Sequence, residues 1–202
     1  MFNPKPFKVE NYSEQIEFIK AHPFATLIST IDGVPYASQI PITINEFDDF
    51  LILSGHLAKA NPQLKTLDGN ANVLILFTGP HAYISSSWYK DEEVSTWNYQ
   101  SAQIRGESEL MSENELMIEL EQLTNRYELG RENARTFNTL SENVLKQANG
   151  VTGFKIRVNE IQVKYKMSQN RSEEDYQNIV HHLEREGETE SAEAMNRIRK
   201  GK

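Results

Sequence analysis

The residues best suited to chemistry lie in one stretch, "GPHAYISSSWYKDEEVSTWNYQ", residues 79–100. It holds both tryptophans of the chain, Trp88 and Trp97, with His81, Tyr83 and Tyr89. Ser85, Ser86, Ser87, Asn98 and Gln100 lie among them. Indole and phenol rings offer flat apolar faces with polar tips. An isoalloxazine or a haem wants such a slot. A flavin also wants hydrogen bonds along its pyrimidine edge, which Asn98, Gln100 or Gln103 can supply. The plainer reading is a packed loop in which the two tryptophans cover a barrel end. A haem needs only one axial histidine, which His56 or His81 offers. His81 with Ser85 or Ser87 makes a poor nucleophile and base. No nucleophile-elbow glycine pattern surrounds a serine, and no acid is placed to orient the imidazole. The five histidines lack metal-ligand spacing, and the adjacent pair His181-His182 would point about 100° apart on a helix.

Two further clusters carry polar chemistry. In "LSGHLAKANPQL", residues 53–64, a strand ends near Gly55 and a helix is expected to begin near Asn61-Pro62. Exposed amides at a helix start, beside His56 and Lys59, suit an anion such as phosphate. From spacing alone a surface turn with a solvated lysine is the plainer reading, and the glycine spacing of a Walker motif is absent. In "KMSQNRSEEDY", residues 166–176, the donors Lys166, Gln169, Asn170 and Arg171 gather between a strand and a helix. Ordinary capping by Ser172 explains them as well.

These clusters need elements to position them. "NYSEQIEFIKAHP" reads as a helix capped by Asn11, with Ile16 and Ile19 on one face and Pro23 as its stop. "FATLISTI" and "VPYASQIPITI" read as strands joined by an Asp32-Gly33 hairpin turn. "FLILSG", "NVLILFTG" and "TWNYQSAQIRGESEL" add three more. "MSENELMIELEQLTNRYE" carries a Ser112/Glu115 capping box, and "TLSENVLKQANG" reads as a shorter helix with a left-handed cap at Asn149-Gly150. Phe154, Ile156 and Val158 alternate, then Ile161, Val163, Tyr165 and Met167, with a slip in phase between. "SEEDYQNIVHHLERE" places Tyr176, Ile179, Val180 and Leu183 on one helical stripe.

Six or so strands with mostly hairpin connections predict a mainly β, α+β chain: a small antiparallel barrel with a helical insertion at about 111–150 and a C-terminal helix at about 172–200. The 202 residues suit one domain, 1–202. With 38% hydrophobic and 25% charged residues the chain reads as soluble; no apolar run spans a bilayer, and no secretory h-region is present. The absence of cysteine excludes disulfides and fits the cytoplasm. A net charge of −8 argues against general DNA binding. The one dense basic cluster, "RIRKGK", reads as a solvated tail.

"GHLAKANPQ", "GPHAYISSSWY", "TWNYQ", "TGFKI" and "KMSQNRSEEDY", in this order, resemble the PaiB-type family of FMN-binding negative transcriptional regulators. The likeness runs through nearly the whole chain, apart from the helices at about 111–148. It implies an FMN-binding split β-barrel, a homodimer, and a flavin in a cleft walled by His81, Tyr83, Trp88, Trp97, Asn98, Gln100 and Gln103. It also implies that His56, Lys59 and Asn61 serve a phosphate-binding turn. The flavin would act as sensor or structural ligand. DNA is the partner that the family name implies, although neither charge nor a recognition helix supports it. The rival reading is a flavin- or haem-dependent oxidoreductase of the pyridoxamine-phosphate-oxidase-like group. A flavin-free scaffold is a third.

Overall fold

The computed structural model describes residues 1–200; Gly201 and Lys202, the last two of "RIRKGK", lie outside the described residues. β1 (Lys8–Val9) leads into α1 (Tyr12–Ala21). Asn11 caps α1, its Oδ1 accepting the Glu14 amide at 3.0 Å. β2 (Phe24–Ile31) and β3 (Val34–Pro41) form the expected hairpin, with Asp32 and Gly33 at φ 50° and 79°. The run expected as one strand to Ile44 divides after Pro41. The Ile42 amide turns to Pro23 O at 2.8 Å, and β4 (Thr43–Glu46) begins. β3 ends the sheet, where Pro35 and Pro41 cost no central ladder bond.

β5 (Leu51–Ala58) follows, then β6 (Asn70–Ile84) and β7 (Thr96–Leu110). α2 (Glu113–Glu128) starts with the complete Ser112/Glu115 capping box. The expected helix at 139–150 shrinks to α3 (Glu142–Leu145) and a 3₁₀ turn. Gly150 is not left-handed and leads straight into β8 (Val151–Lys166). β8 is one strand whose inward phase slips. Phe154 and Ile156 are buried, and so are Val163 and Tyr165 at odd positions. The C-terminal segment is two helices, α4 (Glu173–Glu186) and α5 (Thr189–Lys200), parted by left-handed Gly187 at φ 83°. The start of the expected basic tail is thus helical, and Arg199 Nε donates to Glu173 at 2.9 Å.

The strands form one antiparallel sheet in the order β3-β2-β6-β7-β8-β5-β4, with β1 on β8. No ladder joins β3 to β4 among the described residues, so the sheet is not closed. The chain divides into two compact units. The first comprises Met1–His22, Phe77–Gln103 and Gln162–Lys202; the second comprises Pro23–Leu76 and Ile104–Ile161. Fully buried Ile19, Phe77, Ile84, Met167, Tyr176 and Leu183 make the core of the first, and Leu27, Leu53, Ile75, Ile104 and Phe154 that of the second. No described helix is long and apolar enough to cross a membrane.

Candidate functional site

The ring-rich segment belongs to the first unit. Alternation along its strands sorts the residues, because successive side chains of a strand point to opposite faces. On β6, His81 and Tyr83 are exposed while Ala82 and Ile84 are buried. On β7, Trp97 is exposed while Asn98, Gln100 and Ala102 are buried. Gln103 has the phase of Trp97 and is half-buried. His81 and Tyr83 each lie with ring centroids 6.0 Å from Trp97. Trp97 Nε1 donates to His81 Nδ1 at 3.4 Å. Tyr83 and Trp97 are each 49% exposed, which makes the trio an open aromatic face with polar tips.

Lys166 stands beside this face. Its Nζ donates to Trp97 O at 2.8 Å and to Thr96 Oγ1. It forms no ion pair among the described residues. Burial and the charges of Lys164 and Arg171 hold its pKa below the ordinary lysine value. An ammonium has three donors, so one remains. Lys164, which the sequence reading passed over, lies 5.2 Å from the Tyr99 ring centre. A flat aromatic face with an unpaired cation fits the chemistry of FMN, a planar ring carrying a phosphate.

The expected wall does not hold together as one surface. Trp88 is buried and stacks on His182, with centroids 5.0 Å apart and planes 1° from parallel. Asn98 is fully buried; its Oδ1 accepts from Ser168 Oγ at 3.1 Å and its Nδ2 meets Met195 Sδ at 3.6 Å. Gln100 lies inside, against Gly79. Ser85 Oγ pairs with Ser87 Oγ at 2.9 Å, a local turn that leaves His81 to Trp97. Most of the 166–176 donors also serve local structure. Gln169 bonds Tyr165 O and the Met167 amide, Arg171 pairs with Glu93, and Ser172 caps α4.

In the second unit, Lys59 is exposed and has no ion pair among the described residues. Its amide donates to Gly150 O at 2.9 Å. Asn61 is occupied: Oδ1 accepts the Gln63 amide at 2.9 Å, and Nδ2 donates to Ser38 Oγ at 3.1 Å. The helix expected after it is only a 3₁₀ turn, Pro62–Thr66, too short for much dipole. His56 is half-buried, and its buried Nδ1 has no hydrogen-bond partner among the described residues. Burial lowers its pKa, against the pull of nearby Glu119. Glu119 is 3% exposed and accepts from Ser54 Oγ at 2.6 Å. Its place on the stripe Leu116–Leu120–Leu123 was the one available signal that it points inward.

Residues 1–160 match the family described as "Putative FMN-binding domain". The chain is 41% identical over 203 residues to "Protease synthase and sporulation protein PAI 2" of Bacillus subtilis (strain 168), covering 100% of this chain and 98% of that protein. Its fold is similar to the FAD and Heme binding protein from Mycobacterium smegmatis, with TM-score 0.57 and 20% identity over 83% of this chain and 78% of that one. It is also similar to the flavocytochrome Anf3 from Azotobacter vinelandii, with TM-score 0.56 and 18% identity over 84% and 74%. At such identities the structural likenesses show the fold alone. The full-length relative and the family match go further: the chain belongs to the PaiB-type family of FMN-binding split-barrel proteins, whose cofactor is FMN.

Proposed function

We propose that this protein is an FMN-binding negative transcriptional regulator of the PaiB type, with the flavin as sensor or structural ligand. The observation that carries the reading is the open His81–Tyr83–Trp97 face with Lys166 beside it, in a chain of an FMN-binding family. FMN would supply a redox-active planar ring. Trp97 and Tyr83 would stack on that ring, and the spare Lys166 donor would meet an anionic group. The buried amides Asn98 and Gln100 would support the strand from behind. The regulatory part rests on the kinship with the sporulation protein PAI 2. An aromatic face left half in water also suits a second copy, so we extend the proposal to a cytoplasmic homodimer.

The test begins with the absorbance spectrum of the purified protein and a titration with FMN. Flavin bands are expected, and Trp97→Ala should weaken FMN about tenfold, the effect of a lost ring contact of roughly 1.5 kcal/mol. A colourless protein that ignores added FMN would sink the reading. Light scattering should give a dimer; a monomer with FMN present removes the homodimer. The second reading, an oxidoreductase using flavin or haem, draws on the accessible ring of His81 as an axial ligand. A Soret band, or rapid flavin-dependent oxidation of NADH or NADPH, would favour it.

A further inference from the structure

The second unit has a cleft of its own, of about 640 Å³. Phe47 and Phe50 stand on its rim, bracketing the hairpin tip between β4 and β5. The Phe47 amide closes the tip on Phe50 O at 3.0 Å. The two rings stack with centroids 4.6 Å apart and planes 21° from parallel. They remain 54% and 40% exposed. Large rings left in water at a tight turn forgo burial energy that polar residues would not have needed. Exposed apolar surface with a polar rim marks a binding site. Gly69 adds open space: it is left-handed at φ 65°, and a Cβ there would meet nothing within 4 Å.

The charges of the cleft are not equivalent. Lys155 is held between Glu109 at 3.1 Å and Glu115 at 2.6 Å, so its charge is spent. Arg157 has no ion pair among the described residues, and its guanidinium carbon lies 5.4 Å from the centre of the Phe50 ring. A guanidinium offers two parallel donors to a planar carboxylate and stacks on aromatic faces. We propose that this cleft binds a small aromatic monocarboxylate, with its ring on Phe47 and Phe50 and its carboxylate on Arg157. The volume leaves room for a ligand of one or two rings. Glu107 and Glu109 also line the cleft, and their charge disfavours a dianionic phosphate ester.

The experiment uses the full chain, with FMN and without it, and two probes of the same shape: 2-naphthoate and its neutral analogue 2-naphthamide. Saturation-transfer NMR detects binding, and titration ranks affinity. Naphthoate should bind about tenfold more tightly than the amide. Arg157→Gln should remove that preference without weakening the amide. Phe50→Ser should weaken both probes. FMN should stay bound throughout, and its absence should change nothing. Absence of saturation transfer at millimolar naphthoate would overturn the proposal, as would equal affinities in the wild type or an unchanged preference in Arg157→Gln. Displacement of FMN by naphthoate would also overturn it, by assigning the probe to the flavin site. None of these failures touches the flavin reading, which rests on other residues.

Discussion

Gly79 opens the ring-rich segment, where a glycine invites a reading as a ligand-contacting or flexible residue. Its backbone is not left-handed, so conformational freedom is not its purpose. Space is. A Cβ at this position would lie 2.7 and 3.0 Å from Cε2 and Cζ of Phe18, and 3.2 Å from Cβ of Gln100. Phe18 cannot swing aside: it is 5% exposed, with ring centroids 4.7 Å from His22 and 5.5 Å from Tyr165. Overpacking of this kind costs about 1–3 kcal/mol, and a caged ring puts Gly79→Ala near 2 kcal/mol. In a chain of 202 residues each kcal/mol lowers Tm by about 2–4 °C, so a fall of about 4–8 °C is expected. Phe18→Leu removes the obstructing ring edge. The double variant should therefore be more stable than the sum of the single losses, by a coupling of about 1 kcal/mol. Thermal melts and urea titrations of the four proteins measure both quantities. An unchanged Tm in Gly79→Ala, or strict additivity in the double variant, refutes the steric account.

Lys166→Ala should weaken FMN about tenfold more than riboflavin, because riboflavin lacks the phosphate that the spare Lys166 donor would meet. Equal losses for both ligands in parallel titrations would give Lys166 no phosphate contact. Glu115 accepts from Lys155 and from both the amide and the hydroxyl of Ser112, which together pull its pKa from the ordinary 4.5 to about 2. A depressed folded pKa stabilises above the ordinary value and is lost as pH falls toward the folded one. The Tm advantage of wild type over Glu115→Gln should therefore be full at neutral pH and fade between about 4.5 and about 2; a gap independent of pH would contradict this. Random duplex DNA should bind weakly at physiological salt. On α5 the exposed Arg197 and Lys200 share their helix with exposed Glu190 and Glu193, while Arg199 is tied to Glu173, so few phosphates can be neutralised. Tight anisotropy-detected binding to unrelated sequences would reverse that expectation.

Much of the local architecture follows from short stretches read by themselves. The Asn11 cap, the Asp32-Gly33 turn, the Ser112/Glu115 box, the full run of β7 and the Tyr176–Leu183 stripe all depend on neighbours within a few residues. Hydrogen bonds and periodicity at that range need no distant partner. The phase slip of β8 was visible for the same reason. The five ordered motifs were enough to identify the family, and with it FMN and the split barrel. Other features waited on contacts far apart in the chain. Strand alternation already placed Trp97 and Asn98 on opposite faces; which face was interior depended on Ser168 and Met195 arriving from the other end of the chain. Trp88 resembled a cofactor ring until His182 of α4 covered it. Glu119 lies on the apolar stripe of α2, and only Ser54 of β5 supplies the partner that lets its carboxylate stay there. Lys166 was one of several donors until β8 placed it on the Trp97 carbonyl. In each case the side chain's type permits either fate. The choice rests on burial and partner supply, which depend on residues tens of positions away.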